Sequence, residues 1–291
     1  MTGTAGVART AAAALGVAAA AHLAPGLLGI PGAPSRLRGL TGPGRPGWVG
    51  LTFDDGPHPD GTPAVLAQLA RAGVTATFFM MGEQLQRHPG LGRWAVEAGH
   101  ELAVHGWNHR PLPGRRPGRI SGELTATCEL ITAVAGVAPR WYRPPYGVAT
   151  GEALWAARRL GLRPAWWHRW GRDWRARATP AGIARAVIGP PQRPRLHGGN
   201  VILLHDSDTY GTPGSWRSTA AALPAILGYA AEQGLRVSAL DGGHRGRRPS
   251  MCPKVAAGVP TSRSENISTR RQSVAVPGQP LDETFEVAPP A

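Results

Sequence analysis

The chain has 291 residues, 32 Lys+Arg against 18 Asp+Glu, and a formal net charge of +14. Its 42% apolar content excludes a wholly disordered chain, and 40 glycines without a three-residue period exclude collagen. Two cysteines, Cys128 and Cys252, exclude a disulfide framework or a cysteine-based zinc site. The length suits one large domain or two small ones, and the basic balance points to an anionic surface or nucleic acid.

In chain order, the first feature is Arg9 followed by a small-apolar run from Thr10 to Ala21, ended by Pro25. That run is too short for a spanning helix, which needs about 20 residues. It matches the apolar region of a signal peptide, with Ala-x-Ala sites at its end. Continued to Ile30, it becomes a poor membrane anchor; the alternative is an Ala-rich packing helix. Residues 1–47 are therefore expected to be a signal- or anchor-like segment and linker. Membrane association through residues 10–30 and an extracytoplasmic location, secreted or anchored, are expected to follow.

Residues 48–240 repeat a helix–Gly–strand phrase. Thr62-Pro63 reads as an N-cap with proline at the first helical position, and Gly73 closes that helix. The phrase recurs at Gly99, Gly161 and Gly234. Strands are predicted at 49–53, 76–81, 101–104, 140–143, 162–167, 200–204 and 235–240. Seven strands alternating with helices predict a parallel α/β fold. In barrels of that class chemistry collects at the strands' C-terminal ends. Those ends here read Asp54-Asp55, His105, Arg143, Trp170 to Trp174, and His205-Asp206.

The basic excess is concentrated, with 16 Arg against four acids in residues 110–195. Lys254 is the only lysine, so GC-rich coding explains the bias as readily as an anion-binding face does. From 241 to 291 hydrophobic periodicity vanishes, and a disordered tail is expected. It contains the sequon Asn266-Ile267-Ser268.

Thr52-Phe53-Asp54-Asp55-Gly56-Pro57 places two carboxylates where a strand ends. On an extended backbone neighbouring side chains point apart, so one can ligate a metal while the other serves as a base. His105 and His109 stand four apart and share a face if the stretch turns helical. With Asp55 they make two histidines and a carboxylate, a set suited to zinc that also accepts ferrous iron or cobalt. His58, His88, His100, His168 and His197 match no motif and read as turn or surface residues. The Trp141, Trp166, Trp167 and Trp170 group reads mainly as core packing, with sugar stacking as the other use.

Asp54-Asp55, His105-x3-His109, Arg143-Pro144-Pro145-Tyr146, Asp173-Trp174 and Leu203-Leu204-His205 occur in series. Together they resemble the five motifs of the polysaccharide deacetylase family (NodB homology domain, carbohydrate esterase family 4), over about 48–240. The resemblance implies a distorted (β/α)7 barrel and metal-dependent hydrolysis of N-acetyl groups on amino sugars of a peptidoglycan- or chitin-like glycan. It implies Asp55, His105 and His109 as ligands of a divalent metal ion. Asp54 would be the base that takes a proton from the metal-bound water, and His205 the acid for the leaving amine. Arg143 would pair with Asp54 and keep it ionised, and Asp173 would orient His205. Tyr146 and Pro145 would line the groove, with the Tyr146 backbone N–H toward the oxyanion; Trp174 and Leu203 would wall the acetyl pocket.

Two positions depart from the family pattern. Gly106 stands where Ser or Thr is usual, removing a hydrogen bond behind the ligands, and Trp170-Gly171-Arg172 lacks a frequent leading Asp. The competing readings are an O-acetyl esterase on acetylated xylan or cell-wall polysaccharide, a non-catalytic binder of anionic polymers, and a ferrous-iron oxygenase. An acetylated glycan is the expected partner, and nucleic acid is a minor alternative.

Overall fold

A computed structural model describes residues 46–116, 118–192 and 194–240. The signal-like segment, apart from Pro46 and Gly47, and the tail with its sequon lie outside the described residues. Among the described residues eight strands form one sheet: β1 (Trp48–Asp54), β2 (Thr77–Met81), β3 (Glu101–Gly106), β4 (Trp141–Tyr142), β5 (Arg163–Pro164), β6 (Arg169–Trp170), β7 (Val201–His205) and β8 (Arg236–Ser238). All pairings are parallel, in the order β5-β4-β3-β2-β1-β7-β6, with β8 beside the first half of β1. The seven helices among the described residues are α1 (Gly61–Ala72), α2 (Gly82–Arg87), α3 (Pro89–Glu97), α4 (Arg119–Ala135), α5 (Gly151–Arg159), α6 (Pro180–Ile188) and α7 (Ser215–Glu232).

The α/β, distorted-barrel reading holds, with one strand more than expected. β6 is two residues long and exists only through pairing with Ile202 and Leu203, so no local alternation announces it. The sheet curls without pairing β5 to β6, and that gap is the distortion. No helix among the described residues is long and apolar enough to cross a membrane.

Each predicted helix-closing glycine has the left-handed backbone that an L side chain resists: φ is 63° at Gly73, 86° at Gly99, 73° at Gly161 and 66° at Gly234. At Gly73 the last turn closes through Gly73 N–H to Ala70 and Val74 N–H to Leu69, both 3.1 Å. Thr62, by contrast, is no N-cap, and α1 starts after Asp60 without a side-chain cap. Its hydroxyl is used elsewhere, accepting the His58 N–H at 2.8 Å and donating to Asp206 at 2.5 Å.

Strand alternation separates two environments. Leu51, Phe53, Phe78, Met80, Ile202 and Leu204 pack toward the helices with residues such as Leu69, Ile131 and Leu223. The other face holds a smaller cluster that includes Phe79, Ala103, Trp141 and Ala165. Asp54 has the parity of that second face and lies in register with Phe79 and His205. The polar strand ends therefore converge on the inside of the curl.

One histidine read as a surface residue is a core group. His100 is 7% exposed, and its Nδ1 accepts the Ala76 N–H at 3.1 Å, a long-range partner invisible to local spacing. Burial pulls its pKa from 6.5 to about 4. Between those values the unfolded chain binds a proton that the folded one refuses, so acidification through this window destabilises the fold. The expected result is a wild-type unfolding free energy that falls more steeply from pH 6.5 to 4 than that of His100→Asn. Urea titrations across that range would check it.

Candidate active site

Asp54 ends β1 in extended conformation, and Asp55 turns the chain with φ 76°, a left-handed value that aspartate tolerates better than most residues. That turn overrides the expectation that adjacent carboxylates point apart. Asp54 Oδ2 lies 3.7 Å, and Asp55 Oδ1 3.4 Å, from the same His105 Nε2.

His105 lies near the end of β3, and His109 follows in an irregular turn rather than a helix. The two rings still meet, with centroids 5.4 Å apart. Gly106 makes the turn at φ 113°, where a serine or threonine would be strained, and Pro145 packs over the space a side chain would occupy. His105 is oriented instead by its Nδ1 against the Arg143 carbonyl at 2.8 Å, which leaves Nε2 facing Asp55.

Asp55, His105 and His109 form the group whose ligating atoms all lie within 4.8 Å of one another. Asp55 Oδ1 stands 3.4 Å from each Nε2 and, though buried, accepts no hydrogen bond. Ligands bound tetrahedrally at about 2.0–2.1 Å are roughly 3.4 Å apart, so this spacing fits a divalent cation such as zinc. Burial would raise the Asp55 carboxyl, but the neighbouring imidazoles of His105, His205 and His109 outweigh it and hold the pKa at about 2. Burial lowers His109 to about 4, which keeps its imidazole neutral, as a metal ligand must be.

Behind the cluster, Arg143 is fully buried just after β4. Its guanidinium donates to Asp54 Oδ1 at 2.6 Å, the Thr52 hydroxyl at 2.9 Å, and the carbonyls of Ala165 and Trp166 at 3.0 and 3.3 Å. The Phe79 ring lies 4.0 Å beneath its central carbon. These contacts aim one charge at one carboxylate oxygen and leave the other oxygen toward the cluster.

On β7, which pairs with β1, His205 ends the strand with Nε2 3.9 Å from Asp55 Oδ2. Asp173 is completely buried and grips both ends of that residue: Oδ1 meets His205 Nδ1 at 2.9 Å, and Oδ2 accepts its backbone N–H at 2.7 Å. Burial opposes the charged imidazolium, yet Asp173, with Asp55 and Asp54 behind it, raises His205 to about 10. Trp174 lies edge-on to His205 at 5.2 Å, and Leu203 is buried two residues earlier on β7. Tyr146 sits exposed on a tight turn (Pro145–Gly147) at φ 59°, its hydroxyl donating to the His109 carbonyl at 3.1 Å.

The curl thus brings all eleven sequence-nominated residues to one end of the sheet or the loops beside it. Sequence reasoning missed four others. Thr52 supports Arg143, and Thr219 on α7 donates to Asp173 at 2.8 Å. Asp206, which follows His205 at the end of β7, is fully buried, takes the Thr62 hydroxyl, and is pushed up to about 7 by burial. Tyr210 stacks on His109. Only Thr52 and Asp206 could have been suspected, from their places beside motif residues.

A chitooligosaccharide deacetylase of a Bradyrhizobium species is 37% identical over 175 residues, covering 60% of this chain and 76% of that one. The chain belongs to the polysaccharide deacetylase family. The family's model, described as polysaccharide deacetylase, matches residues 41–165. A peptidoglycan-N-acetylglucosamine deacetylase of Listeria monocytogenes is 30% identical over 193 residues, 66% of this chain but only 38% of that protein's length. Among solved structures, a family 4 carbohydrate esterase from Streptomyces lividans in complex with acetate matches with TM-score 0.57 and 32% identity, over 65% of this chain and 91% of that one. For this member of the polysaccharide deacetylase family, the five motifs lie at the strand ends described above or in the loops that follow them.

Proposed function

We propose that the chain hydrolyses N-acetyl groups on amino sugars of a peptidoglycan- or chitin-like glycan, with residues 48–240 as the catalytic domain. The observation that carries this reading is the adjacency of three units, each held by different partners. An arginine-held carboxylate and a carboxylate-held imidazole each lie within 4 Å of the two-histidine-one-aspartate cluster.

Asp55, His105 and His109 would hold a divalent cation, zinc being the best fit to the donors. When bound, such an ion lowers the pKa of water toward neutrality and polarises an acetyl carbonyl. Asp54, free on one oxygen, takes the proton of the attacking water as its oxygen bonds to the carbonyl carbon. His205 gives its proton to the sugar nitrogen as the C–N bond breaks, leaving acetate and an amine. The Tyr146 backbone N–H serves the oxyanion, Tyr146 and Pro145 line the groove, and Trp174 and Leu203 receive the acetyl methyl. An extracytoplasmic site of action follows from a glycan substrate. The many exposed arginines of 110–195, among them Arg172, Arg175 and Arg177, suit an anionic cell wall.

Acetate release from chitooligosaccharide, peptidoglycan and acetyl xylan, with zinc supplied, tests this reading. Release from either N-acetylated substrate supports it. Release from acetyl xylan alone makes the protein an O-acetyl esterase, and release from none overturns the deacetylase reading. A second result concerns pH. An acid must be protonated, so the rate falls as pH rises through its pKa. Asp173→Asn removes the carboxylate that raises His205, and the alkaline limb of kcat is expected to move to lower pH. An unmoved limb would remove His205 from the acid role.

A further inference from the structure

The two histidines of the cluster are held in different ways. His105 has a hydrogen bond behind it, from Nδ1 to the Arg143 carbonyl. His109 has none: its Nδ1 is buried and unpartnered. A metal-ligating imidazole ordinarily donates its second nitrogen to a carboxylate, carbonyl or water, which fixes the ring. The irregular turn from Gly106 to His109 provides no such partner, and Gly106 has no side chain to stiffen it.

What surrounds His109 is aromatic. The Tyr210 ring stacks on it at 4.8 Å and 20°, and the Tyr146 ring meets it edge-on at 4.3 Å and 62°. Tyr210 comes from the loop between β7 and α7, on the far side of the site from β3. Its hydroxyl donates to Glu83, at the start of α2, and receives a long 3.5 Å contact from the Gln84 amide. Glu83 in turn donates its backbone N–H to the Trp107 carbonyl at 2.9 Å, inside the turn that carries His109. The ring and its anchor thus hold the same turn from two directions. The loop is itself tied down: Thr212 N–H donates to the Trp174 carbonyl at 3.0 Å, and Gly214 N–H to Asp208 at 2.5 Å.

We propose that Tyr210, anchored by Glu83, is a positioning residue that sets the orientation of His109 by ring stacking in place of a hydrogen bond. This rests on the assignment of His109 as a metal ligand. Stacking suits the task because it restrains the ring plane while leaving Nε2 toward Asp55, 3.4 Å away.

The test measures cobalt and zinc affinity of the metal-stripped protein by competition with a chromophoric chelator, with the cobalt absorption spectrum and the metal-free Tm recorded beside it. Tyr210→Ala is expected to raise Kd by about 10- to 100-fold, the usual cost of losing the support behind a ligand, and to alter the cobalt spectrum. Tyr210→Phe, which keeps the ring and loses the anchor, and Glu83→Gln should weaken binding by a smaller factor. An unchanged Kd in Tyr210→Ala, or a lowered Tm without a change in Kd, overturns the proposal. If Tyr210→Ala does not fold, unchanged Kd in both conservative variants overturns it equally. A wild type that binds neither metal overturns the ligand assignment itself, a result distinct from tight binding that ignores Tyr210.

Discussion

Asp54→Asn is expected to lower kcat for acetate release by about two to four orders of magnitude, the range for losing a positioned base. The amide matches the carboxylate in size, and its oxygen can still accept the Arg143 hydrogen bond now made at 2.6 Å. What it cannot do is take a proton. Asp55, His105 and His109 are untouched, so zinc content should remain at the wild-type level and KM should change little. Steady-state kinetics beside metal analysis would check this. A loss of less than tenfold would move the base to another group, and loss of the metal would place Asp54 among the ligands.

Arg143→Met is expected to cost about 3–5 kcal/mol of stability, the scale for leaving one member of a buried ion pair alone. Methionine fills part of the volume but supplies none of the donors. The Asp54 carboxylate, 3% exposed, then loses its guanidinium partner, and Thr52, Ala165 and Trp166 each lose a hydrogen bond. Activity should vanish with it. Urea denaturation gives the cost, and a double variant with Asp54→Leu separates the two contributions. If the pair is coupled, Asp54→Leu destabilises less in the Arg143→Met background than in the wild type. Strict additivity, or a cost below 1 kcal/mol, would make Arg143 only a packing residue.

Both results concern residues that the sequence nominates, yet the reason each should matter lies in contacts it does not display. Arg143 is one of sixteen arginines in a strongly basic stretch. Nothing in composition separates it from Arg172 or Arg175, which are exposed. Its motif marks it, and its burial then explains it. The paired aspartates were legible as chemistry but not as geometry, because the left-handed turn at Asp55 has no unique local signature. The two histidines four apart suggested a helix, and the chain instead reaches the same convergence through a glycine turn. His100 and Asp206 show the opposite failure. His100 reads as a turn or surface residue and Asp206 carries no role in the motifs, yet each is buried against a partner from a distant segment.

By itself, then, the sequence determined the alternation of helices and strands, the helix-closing glycines and the motif residues at the strand ends. Those depend on local periodicity, turn chemistry and short spacing, all written along the chain. The tertiary structure alone decided how the sheet curls, which polar residues it buries and what stands behind each one. The added strand β6, the Asp173 and Thr219 support of His205 and the Tyr210 stack on His109 are contacts across 32 to 101 positions of chain. No local pattern encodes such contacts, because they exist only after the sheet has closed most of the way around its polar interior.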